Sequence, residues 1–573
     1  MAKPEQSSRI VVEQLTTLDL PYPRTKPLIL SVSGSLIYIG THSGSLLLLS
    51  VDPFSNARPI ALVRSISFGY NPLDALVLLP ELEKVLVLCD GSIFVTDSQL
   101  THPIRKINFV KGVSLIAKRV RSGRTLESSG MLNNPAGGRV TSAENLSILK
   151  KLGVLKTKAR DKLNQVDGDE SSKRLIANGG NDKDNLFVLL VGKKFLIAEL
   201  IFEGAGDEAA LVVLKEIPCI ENMKAIVWIN DSIIGGTSNG YSLFSSITGQ
   251  SGLICTFPDS NASPLLKLLR KEMKVLLLVD NVGVVADDHG QPVGGSLVFR
   301  SRPESFQELI SYLLVVKDGR MDIYNKKTGN CVQSVVFGGE GERCIVASEE
   351  NGLGQIVLVV TPSKVFCYRK VAYEEQIKDL LRKKNFKEAV SLVEELEHDG
   401  EISSEMRSFV HAQVGFLLLF DLHFEEAVNH FLLSESMEPS EIFPFIFRDP
   451  NRWSLLVPRN RYWGLHPPPA SIEDTIDDGL LSIQRAIFLR KAGVETKIDD
   501  EFLSNPPTKA ALLELAITHF IRYLELSRQK DIAYAVKEGV DTLLVYLYRT
   551  LNRVDDMEKL TSSENACVVC RRN

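Results

Sequence analysis

The sequence predicts an all-β seven-bladed propeller followed by an all-α solenoid of helical hairpins. Two observations lead to this fold class. Over residues 1–370, short apolar runs alternate with turn residues, which is typical of β-hairpins. After residue 370 the apolar period changes from two to about 3.6, which is typical of amphipathic helices. We therefore place the boundary between the two domains at residues 370 and 371.

Hairpin patterns occur seven times in the first domain, and their separations, with one exception, match the roughly 40 to 50 residues of a four-stranded blade. They begin at Ser35, Lys84, Asn185, Ser232, Lys274, Tyr312 and Gln355. Residues that tolerate positive φ stand at the turns, namely Asp90, Gly192, Asn239 and Asp318. A two-sheet sandwich is the alternative, but it gives no reason for a repeat at blade length.

One interval is about twice the others, and it contains residues 120–184. This segment is rich in Ser, Gly, Asn and charge and poor in aromatic residues, so we expect a flexible insertion between two blades. In its middle, from Ala143 to Leu163, leucines near one helical face are surrounded by cations. The candidate residues for contact with an anionic membrane or an acidic partner are Lys150, Lys151, Lys156, Lys158 and Arg160. A loop helix that packs on its own propeller, or on nothing, is the alternative.

A repeated motif marks the helical hairpins of residues 371–440. KNFKEAV begins at Lys384, and LHFEEAV begins at Leu422. Repetition at this scale indicates stacked helical hairpins, because one hairpin cannot bury its apolar face alone. We expect Phe386 and Phe424 to fill equivalent positions. Alanines three residues further on, in each copy of the motif, would let two helices approach closely.

Prolines interrupt the helical pattern over residues 441–470, where they predict an irregular connector. Three amphipathic stretches follow within residues 471–573, beginning at Asp477, Thr508 and Ala535, and they continue the solenoid. A solenoid normally ends in a capping helix with a polar outer face. None is visible in this sequence, so we expect a truncated or alternatively terminated form of a longer solenoid.

Composition and charge bound the function. The chain has 573 residues and a formal net charge of −5, which gives no reason to expect a nucleic-acid partner. Its longest apolar runs fall far short of the roughly 18 residues of a membrane span, and its N-terminus lacks an apolar signal core. We therefore expect a cytoplasmic protein. The eight cysteines are scattered, so no disulfide framework is predicted.

The sequence contains no pattern that indicates a catalytic or metal-binding site. It contains neither a phosphate-binding loop nor a nucleophile elbow. Cys567 and Cys570 have metal-ligand spacing, but no second Cys or His pair lies near them in the sequence. His423 and His430 read as surface or half-buried residues rather than ligands. We predict no catalytic, cofactor-binding or metal site, and a protein that is not an enzyme.

Three segments carry a family resemblance: VAYEEQIKDLLRKKNFKEAVSLVEE from Val371, GFLLLFDLHFEEAVNHF from Gly415, and EPSEIFPFIF from Glu438. They resemble the region that follows the citron homology domain in transforming growth factor-beta receptor-associated protein and its relatives. These relatives include vacuolar sorting proteins three and thirty-nine, subunits of the endosomal tethering complexes CORVET and HOPS. The resemblance covers nearly the whole chain, and YEEQIKDLL is closer to the branch of the receptor-associated protein and vacuolar sorting protein three.

The resemblance implies a non-catalytic tethering subunit that binds a Rab GTPase and other CORVET or HOPS core subunits. It implies peripheral contact with the endosomal or vacuolar (lysosomal) membrane, before SNARE-driven fusion, without a nucleic-acid partner. Alternatives are a HOPS subunit of the thirty-nine type, a Rab nucleotide-exchange factor and a receptor-associated signalling scaffold. Family members are longer, and their more C-terminal solenoid helps to hold the complex core.

Overall fold

The structure is a computed structural model. It describes residues 9–20, 26–52, 59–107, 110–121, 185–203, 208–258, 263–338, 343–349, 355–446, 463–494, 500–530 and 534–562. The chain divides into two compact units, Met1–Val371 and Ala372–Asn573. The described part of the first unit is built of β-strands, with one 3-10 helix at Pro80–Leu82, and that of the second is built of helices.

The strands of the first unit are mostly short. Strands β1 to β14 are Val12–Asp19, Pro27–Ser33, Leu36–Thr41, Ser45–Val51, Ile60–Ser67, Leu73–Leu79, Lys84–Cys89, Ser92–Asp97, Arg105–Lys106, Val113–Val120, Leu186–Val191, Lys194–Glu203, Glu208–Pro218 and Met223–Ile229. Strands β15 to β28 are Ser232–Thr237, Gly240–Ser245, Ser251–Thr256, Leu266–Leu269, Lys274–Val279, Val282–Ala286, Pro292–Val298, Ser305–Leu309, Tyr312–Lys317, Arg320–Asn325, Cys331–Val336, Ile345–Ser348, Ile356–Val360 and Lys364–Lys370.

The strands are arranged as a closed ring of sheets. Separate four-stranded sheets are formed by β2–β5, β6–β9, β18–β21, β22–β25, and β26–β28 with β1. The first strand of each group of four contacts the first strand of the next, from β2 through β6, β10, β14, β18 and β22 to β26 and back to β2. A ring of sheets around a central axis is a β-propeller, so the predicted propeller class is confirmed.

The number of separate blades differs from the prediction. Inner strands β10 and β14 form a parallel pair in which Arg119 lies opposite Trp228 and Val120 opposite Ile229. This pair joins β10–β17 into one eight-stranded sheet. The described residues therefore contain five separate blades and one wide sheet, and the prediction of seven blades was wrong. Hairpin patterns locate strands, but the hydrogen bonds between two inner strands form only when the ring closes.

The N-terminal strand completes the last blade. Strand β1 pairs antiparallel with β28, so that Val12 lies opposite Lys370. The side chain of Gln333 fixes this strand, because its Oε1 accepts hydrogen bonds from the backbone N–H of Val11 (2.7 Å) and Val12 (3.0 Å). Its Nε2 donates to the carbonyl of Val12 at 2.8 Å. Ring closure thus depends on residues more than 300 positions apart.

The predicted turns have the backbone geometry that was expected at most positions. Asp90 and Asp318 have φ values of 49°, and Gly192 has a φ of 58°. At the Asn239 turn the unusual conformation falls instead on Gly240, with a φ of 149°. A Cβ on Gly240 would lie 2.1 Å from the carbonyl oxygen of Cys255. That turn therefore requires glycine for two independent reasons.

A phenylalanine directly after an outer strand recurs around the ring, a pattern that the sequence prediction missed. These residues are Phe68, Phe257, Phe299 and Phe337. The backbone N–H of each donates a 2.9 Å hydrogen bond to a carbonyl in a turn of the same group of strands. Each ring meets another aromatic ring at a centroid distance of 5.1–5.5 Å. Such aromatic pairs stabilise packing beyond their buried area, and here they join strands of one blade or of neighbouring blades.

The first described helix of the second unit begins three residues after the last strand ends. Helices α1 to α10 are Tyr373–Arg382, Phe386–His398, Ser404–Phe420, Phe424–Leu433, Phe443–Ile446, Ile472–Lys491, Asp500–Ser504, Lys509–Arg528, Tyr534–Thr550 and Val554–Thr561. A 3-10 helix at Pro439–Ile442 precedes α5. The predicted all-α class of this unit is confirmed. The stretch that begins at Ala535 forms two helices rather than one, because the chain turns at Asn552.

The same tight turn joins α1 to α2, α3 to α4 and α9 to α10. Lys384, Leu422 and Asn552 adopt the left-handed conformation there, with φ values of 61°, 69° and 58°. In each case the next N–H donates to the carbonyl five residues earlier, at 2.8–2.9 Å. This is the hydrogen bond of a Schellman motif. The repeat that the sequence revealed twice therefore occurs a third time, where its residue types have changed.

The proline-rich connector is described only at its two ends. Residues 447–462 lie outside the described residues, and residues 463–470 contain neither helix nor strand. His466 packs against the faces of two aromatic rings of α3, those of Phe416 and Phe420, at centroid distances of 5.2 and 5.5 Å. Trp463 meets the ring of Phe409 edge-on at 4.9 Å. Aromatic contacts therefore hold the described end of the connector on α3.

Candidate interaction surfaces

The described part of the chain contains no visible metal-binding site. No group of three or more His, Cys, Asp or Glu side chains is placed there to hold a metal ion. None of the helices in the described ranges is long and apolar enough to cross a bilayer. Cys567 and Cys570 lie outside the described residues, so the expectation that they hold no metal stays a prediction.

Three of the described cysteines, Cys219, Cys255 and Cys367, are poor nucleophiles. Burial raises the pKa of the Cys219 and Cys255 thiols to about 11, and that of Cys367 to about 12. At neutral pH these side chains are therefore uncharged, and the thiolate is the reactive form. Cys255 and Cys367 are buried among aliphatic residues of the propeller. They act there as small apolar side chains.

The histidines of α3 and α4 form a pair rather than a ligand set. The Nδ1 atoms of His411 and His430 lie 3.0 Å apart, so one ring donates a hydrogen bond to the other. Burial lowers the pKa of His430 to about 4, and the neighbouring His411 adds to this shift. Burial also lowers the pKa of His411. His423 lies elsewhere, against the ring of Phe502, so the structure does not bring His423 and His430 together.

The cationic residues that the sequence singled out, Lys150, Lys151, Lys156, Lys158 and Arg160, lie outside the described residues. The structure does describe the strand from which their segment departs. Near the end of β10, the Arg119 guanidinium lies over the ring of Trp228 at 5.3 Å and donates to the carbonyl of Asn230 at 2.7 Å. It also pairs with Asp231. With only 4% of its side chain exposed, Arg119 fixes the end of β10.

The repeated helical motif has a packing role in the described structure. Ala389 and Ala427, the alanines of the two copies, are both fully buried. Phe424 is buried, whereas Phe386 is only partly buried, so the two phenylalanines are not equivalent in burial. Opposite Ala427, α3 carries Gly415, on which a Cβ would lie 3.0 Å from the Ala427 carbonyl oxygen and 2.5 Å from the Phe431 ring. Close helix approach thus depends on this glycine, which the motif itself does not contain.

A buried ion network links neighbouring blades. Nζ of Lys326, after β24, lies 2.6 Å from Oε1 of Glu308 on β22 and 3.0 Å from Oε1 of Glu272. Glu272 belongs to the preceding blade, in the β18–β19 turn. Burial raises the pKa of the Glu272 carboxyl, but the charges and hydrogen bonds of Lys326 and Lys274 together outweigh it, so the net shift is downward. This network is a structural contact, because burial leaves the Lys326 side chain only 8% exposed.

Exposed apolar side chains mark surfaces that could receive a partner. On the propeller they include Tyr70, which is fully exposed after β5, and Val336, which is 76% exposed at the end of β25. In the helical unit, Phe488 near the end of α6 is 72% exposed, and Leu481, two helical turns earlier, is 43% exposed. Single exposed apolar residues are common. Phe488 differs because basic residues surround it in the sequence.

Comparison with known proteins gives three findings. The family model described as CNH domain matches residues 33–347. "Vacuolar sorting protein 3" of Arabidopsis thaliana is 52% identical over 570 residues, which cover 98% of this chain and 56% of that protein. "Transforming growth factor-beta receptor-associated protein 1 homolog" of Danio rerio is 22% identical over 369 residues, which cover 63% of this chain and 37% of that protein. The chain thus spans little more than half of its Arabidopsis relative.

Among solved structures, the Neurospora crassa Pan2 WD40 domain is similar with a TM-score of 0.42 and 11% sequence identity. That match covers 64% of this chain and 98% of the other. The family resemblance predicted from the sequence is confirmed by the family model and by the two curated relatives.

Proposed function

Because the chain belongs to the CNH-domain family, we propose that it is a non-catalytic subunit of an endosomal or vacuolar membrane-tethering complex. The observation that carries this proposal is the 52% identity to a vacuolar sorting protein along 98% of the chain. The proposed complex is of the CORVET type, in which the chain binds a Rab GTPase and other tether subunits. Its proposed location is the cytoplasmic side of the endosomal or vacuolar (lysosomal) membrane.

The physical form of the molecule supports this role. A propeller and a stack of helical hairpins offer broad rigid surfaces, on which many modest contacts add up when several subunits assemble. Buried thiols with raised pKa and a histidine pair without a third ligand, among the described residues, supply structure rather than reactivity. The chain spans 56% of its Arabidopsis relative. That this chain binds the partners of the whole relative is therefore part of the proposal.

The proposal is tested by binding to Rab-loaded liposomes. The purified chain of residues 1–573 is incubated with liposomes that carry an early-type or a late-type endosomal Rab in the GTP, the GDP or the nucleotide-free form, in the presence of cytosol. We expect recruitment by the GTP form of one Rab, together with other tether subunits. A variant that lacks residues 122–184 then asks whether the cationic residues at Lys150 to Arg160 contribute to recruitment.

Three outcomes separate the alternatives. Strongest binding to nucleotide-free Rab would indicate an exchange factor, because such proteins stabilise the empty GTPase. Capture of kinase receptors independent of the Rab nucleotide would indicate a signalling scaffold. Recruitment by the late-type Rab with HOPS subunits would assign the chain to the thirty-nine branch. Binding to neither Rab, with no tether subunit captured, would contradict the tethering proposal.

A further inference from the structure

The C-terminal end of α6, residues 484–494, stands out among the described helices because little of it is packed. We call this segment the α6 tip. Phe488 is 72% exposed, Leu489 43% and Val494 49%. Ala486 is the one residue of the tip that is buried, and Ile487 is partly buried. Apolar residues that are exposed singly are ordinary, but here three of them lie at one helix end.

The first half of α6 is firmly packed, in contrast to the tip. Ile472, Ile476 and Ile483 are buried in the core of the helical unit. Gly479 lies so close to Leu422 that a Cβ on it would approach that side chain within 2.7–2.9 Å. The first half therefore anchors the helix, and the tip continues beyond the anchored part.

The end of the helix accounts for two of the three exposed apolar residues. Gly493 has a φ of 81°, and the N–H of Val494 donates to the carbonyl of Leu489 at 3.0 Å. This is a Schellman motif, in which an apolar contact between the residues at these two positions is usual. Leu489 and Val494 thus belong to the helix cap. Phe488 belongs neither to the core nor to the cap.

The charge around Phe488 points to its partner. Residues 484–494 contain Arg485, Arg490 and Lys491 and no carboxylate. At about 100° per residue, Arg485 and Lys491 flank Phe488 at about 60° on either side, and Arg490 projects from the opposite side of the helix. Cations near a helix C-terminus also stabilise the helix dipole, but this effect does not require an exposed phenylalanine between them.

We propose that the α6 tip docks on an anionic lipid surface, with Phe488 inserted into the interface and the two flanking cations, Arg485 and Lys491, at the level of the headgroups. An anionic membrane surface matches this arrangement, because its headgroups extend on both sides of an inserted aromatic ring and can meet a cation on each side. This inference deepens the proposed tethering function and rests on it for the presence of a membrane. Its experiment uses vesicles without Rab, so that the two can fail separately.

The first experiment measures sedimentation of the full chain with vesicles of phosphatidylcholine alone or of phosphatidylcholine with phosphatidylserine. We expect binding to the mixed vesicles that decreases as salt concentration rises. Phe488→Ser should weaken it by about tenfold, the effect of removing one interfacial aromatic side chain. The matched control is Leu433→Ser, at a residue that is 60% exposed at the end of α4. This variant should bind as the wild type does.

Two further variants test the geometry directly. Arg485→Gln with Lys491→Gln should reduce binding to the phosphatidylserine vesicles by about 30-fold, because each of the two cations near an anionic surface contributes about 1 kcal/mol. Phe488→Trp should bind like the wild type. The fluorescence of the introduced indole should shift to shorter wavelength with the mixed vesicles and be quenched by brominated lipid.

The outcomes are decisive in both directions. Equal binding of the wild type and Phe488→Ser to the mixed vesicles, or indole fluorescence in Phe488→Trp that no lipid changes, would overturn the proposal. If no variant binds vesicles but Phe488→Ser loses a tether subunit in the Rab experiment, the tip is a protein-binding surface and the lipid proposal is wrong. Loss of Rab recruitment with intact binding to Rab-free vesicles would contradict the proposed function alone. Unchanged circular dichroism spectra show that the variants fold.

Discussion

Replacement of Gly415 by alanine tests whether the helical repeat depends on close backbone approach. A Cβ at this position would lie 2.5 Å from two ring carbons of Phe431 and 3.0 Å from the carbonyl oxygen of Ala427. The Phe431 ring has little freedom to move, because it is fully buried against the rings of Phe416 at 4.9 Å and Tyr523 at 5.9 Å. The added methyl group must therefore push α3 and α4 apart.

The expected magnitude follows from two opposing terms. Overpacking of a well-packed core typically costs about 1–3 kcal/mol, and a contact this short against a fixed ring belongs at the upper end. Alanine has a higher helix propensity than glycine, so the change stabilises the helix by about 1 kcal/mol. We expect a net loss of about 2 kcal/mol in the free energy of opening α3 and α4, which is about a 30-fold increase in exchange where opening is rate-determining.

Hydrogen exchange with mass spectrometry on the full chain measures this effect locally. Peptides from Ser404–Leu433 should exchange faster in Gly415→Ala, while peptides from the propeller should be unchanged. Adding Phe431→Leu makes room for the methyl group, so the double variant should be more stable than the sum of the two single changes predicts. Exchange in Gly415→Ala that is as slow as in the wild type, or strict additivity of the two changes, would refute the reasoning.

Three other predictions concern the propeller and the histidine pair. Phe299→Ala should lower the free energy of unfolding of the propeller by about 3–5 kcal/mol, because this 2%-exposed ring packs edge-on against Tyr324 at 5.2 Å. Thermal unfolding measures the loss. The control is the neighbouring Val298→Ala, at a residue 51% exposed, which should change the unfolding temperature little. Lys326→Met should cost about 3–5 kcal/mol in the same assay, since it leaves the buried Glu308 carboxylate without its cation, and Glu308→Gln added to it should recover part of this loss. His430 has a folded pKa of about 4, below its ordinary value of about 6.5; the unfolded chain therefore binds more protons between these values, and stability should fall as pH decreases from about 6.5 to 4. In His430→Gln the decline of the unfolding temperature over this range should be shallower, and an identical decline would contradict the assignment.

The sequence was informative where structure depends on neighbouring residues. The turns at Asp90, Gly192 and Asp318 were predicted because positive φ is a property of a residue and its immediate neighbours. The switch from strands to helices after residue 370 was predicted for the same reason, since a period of two or 3.6 is visible in any window of a dozen residues. The copies of the helical turn at Lys384 and Leu422 could be matched because their following residues are alike. The third copy, at Asn552, escaped because the turn is specified by backbone geometry while its residue types had changed.

The sequence was less informative about the residues that could bind a partner. The sequence singled out cations between Lys150 and Arg160, which lie outside the described residues, whereas the α6 tip drew attention only as part of an amphipathic stretch. From the sequence alone, Phe488 reads as one more apolar residue of a solenoid helix. Its 72% exposure depends on where the core of the helical unit ends. A basic residue on either side of an apolar one was the signal present, but periodicity does not say which helix face is covered.

The sequence by itself determined the local structure of the protein, namely the hairpins, the helical pairs and their order along the chain. It also carried a family resemblance in short motifs. Only the tertiary structure decided how the ring closes, with β1 paired to β28 and β10 joined to β14. It also decided that Gly415 must have no side chain, that Lys326 is buried between two carboxylates, and that Phe488 is left uncovered. The physical reason is that φ preferences and hydrophobic periodicity act between neighbours in the chain. Strand closure, burial and close packing are set by residues that meet only once the chain has folded.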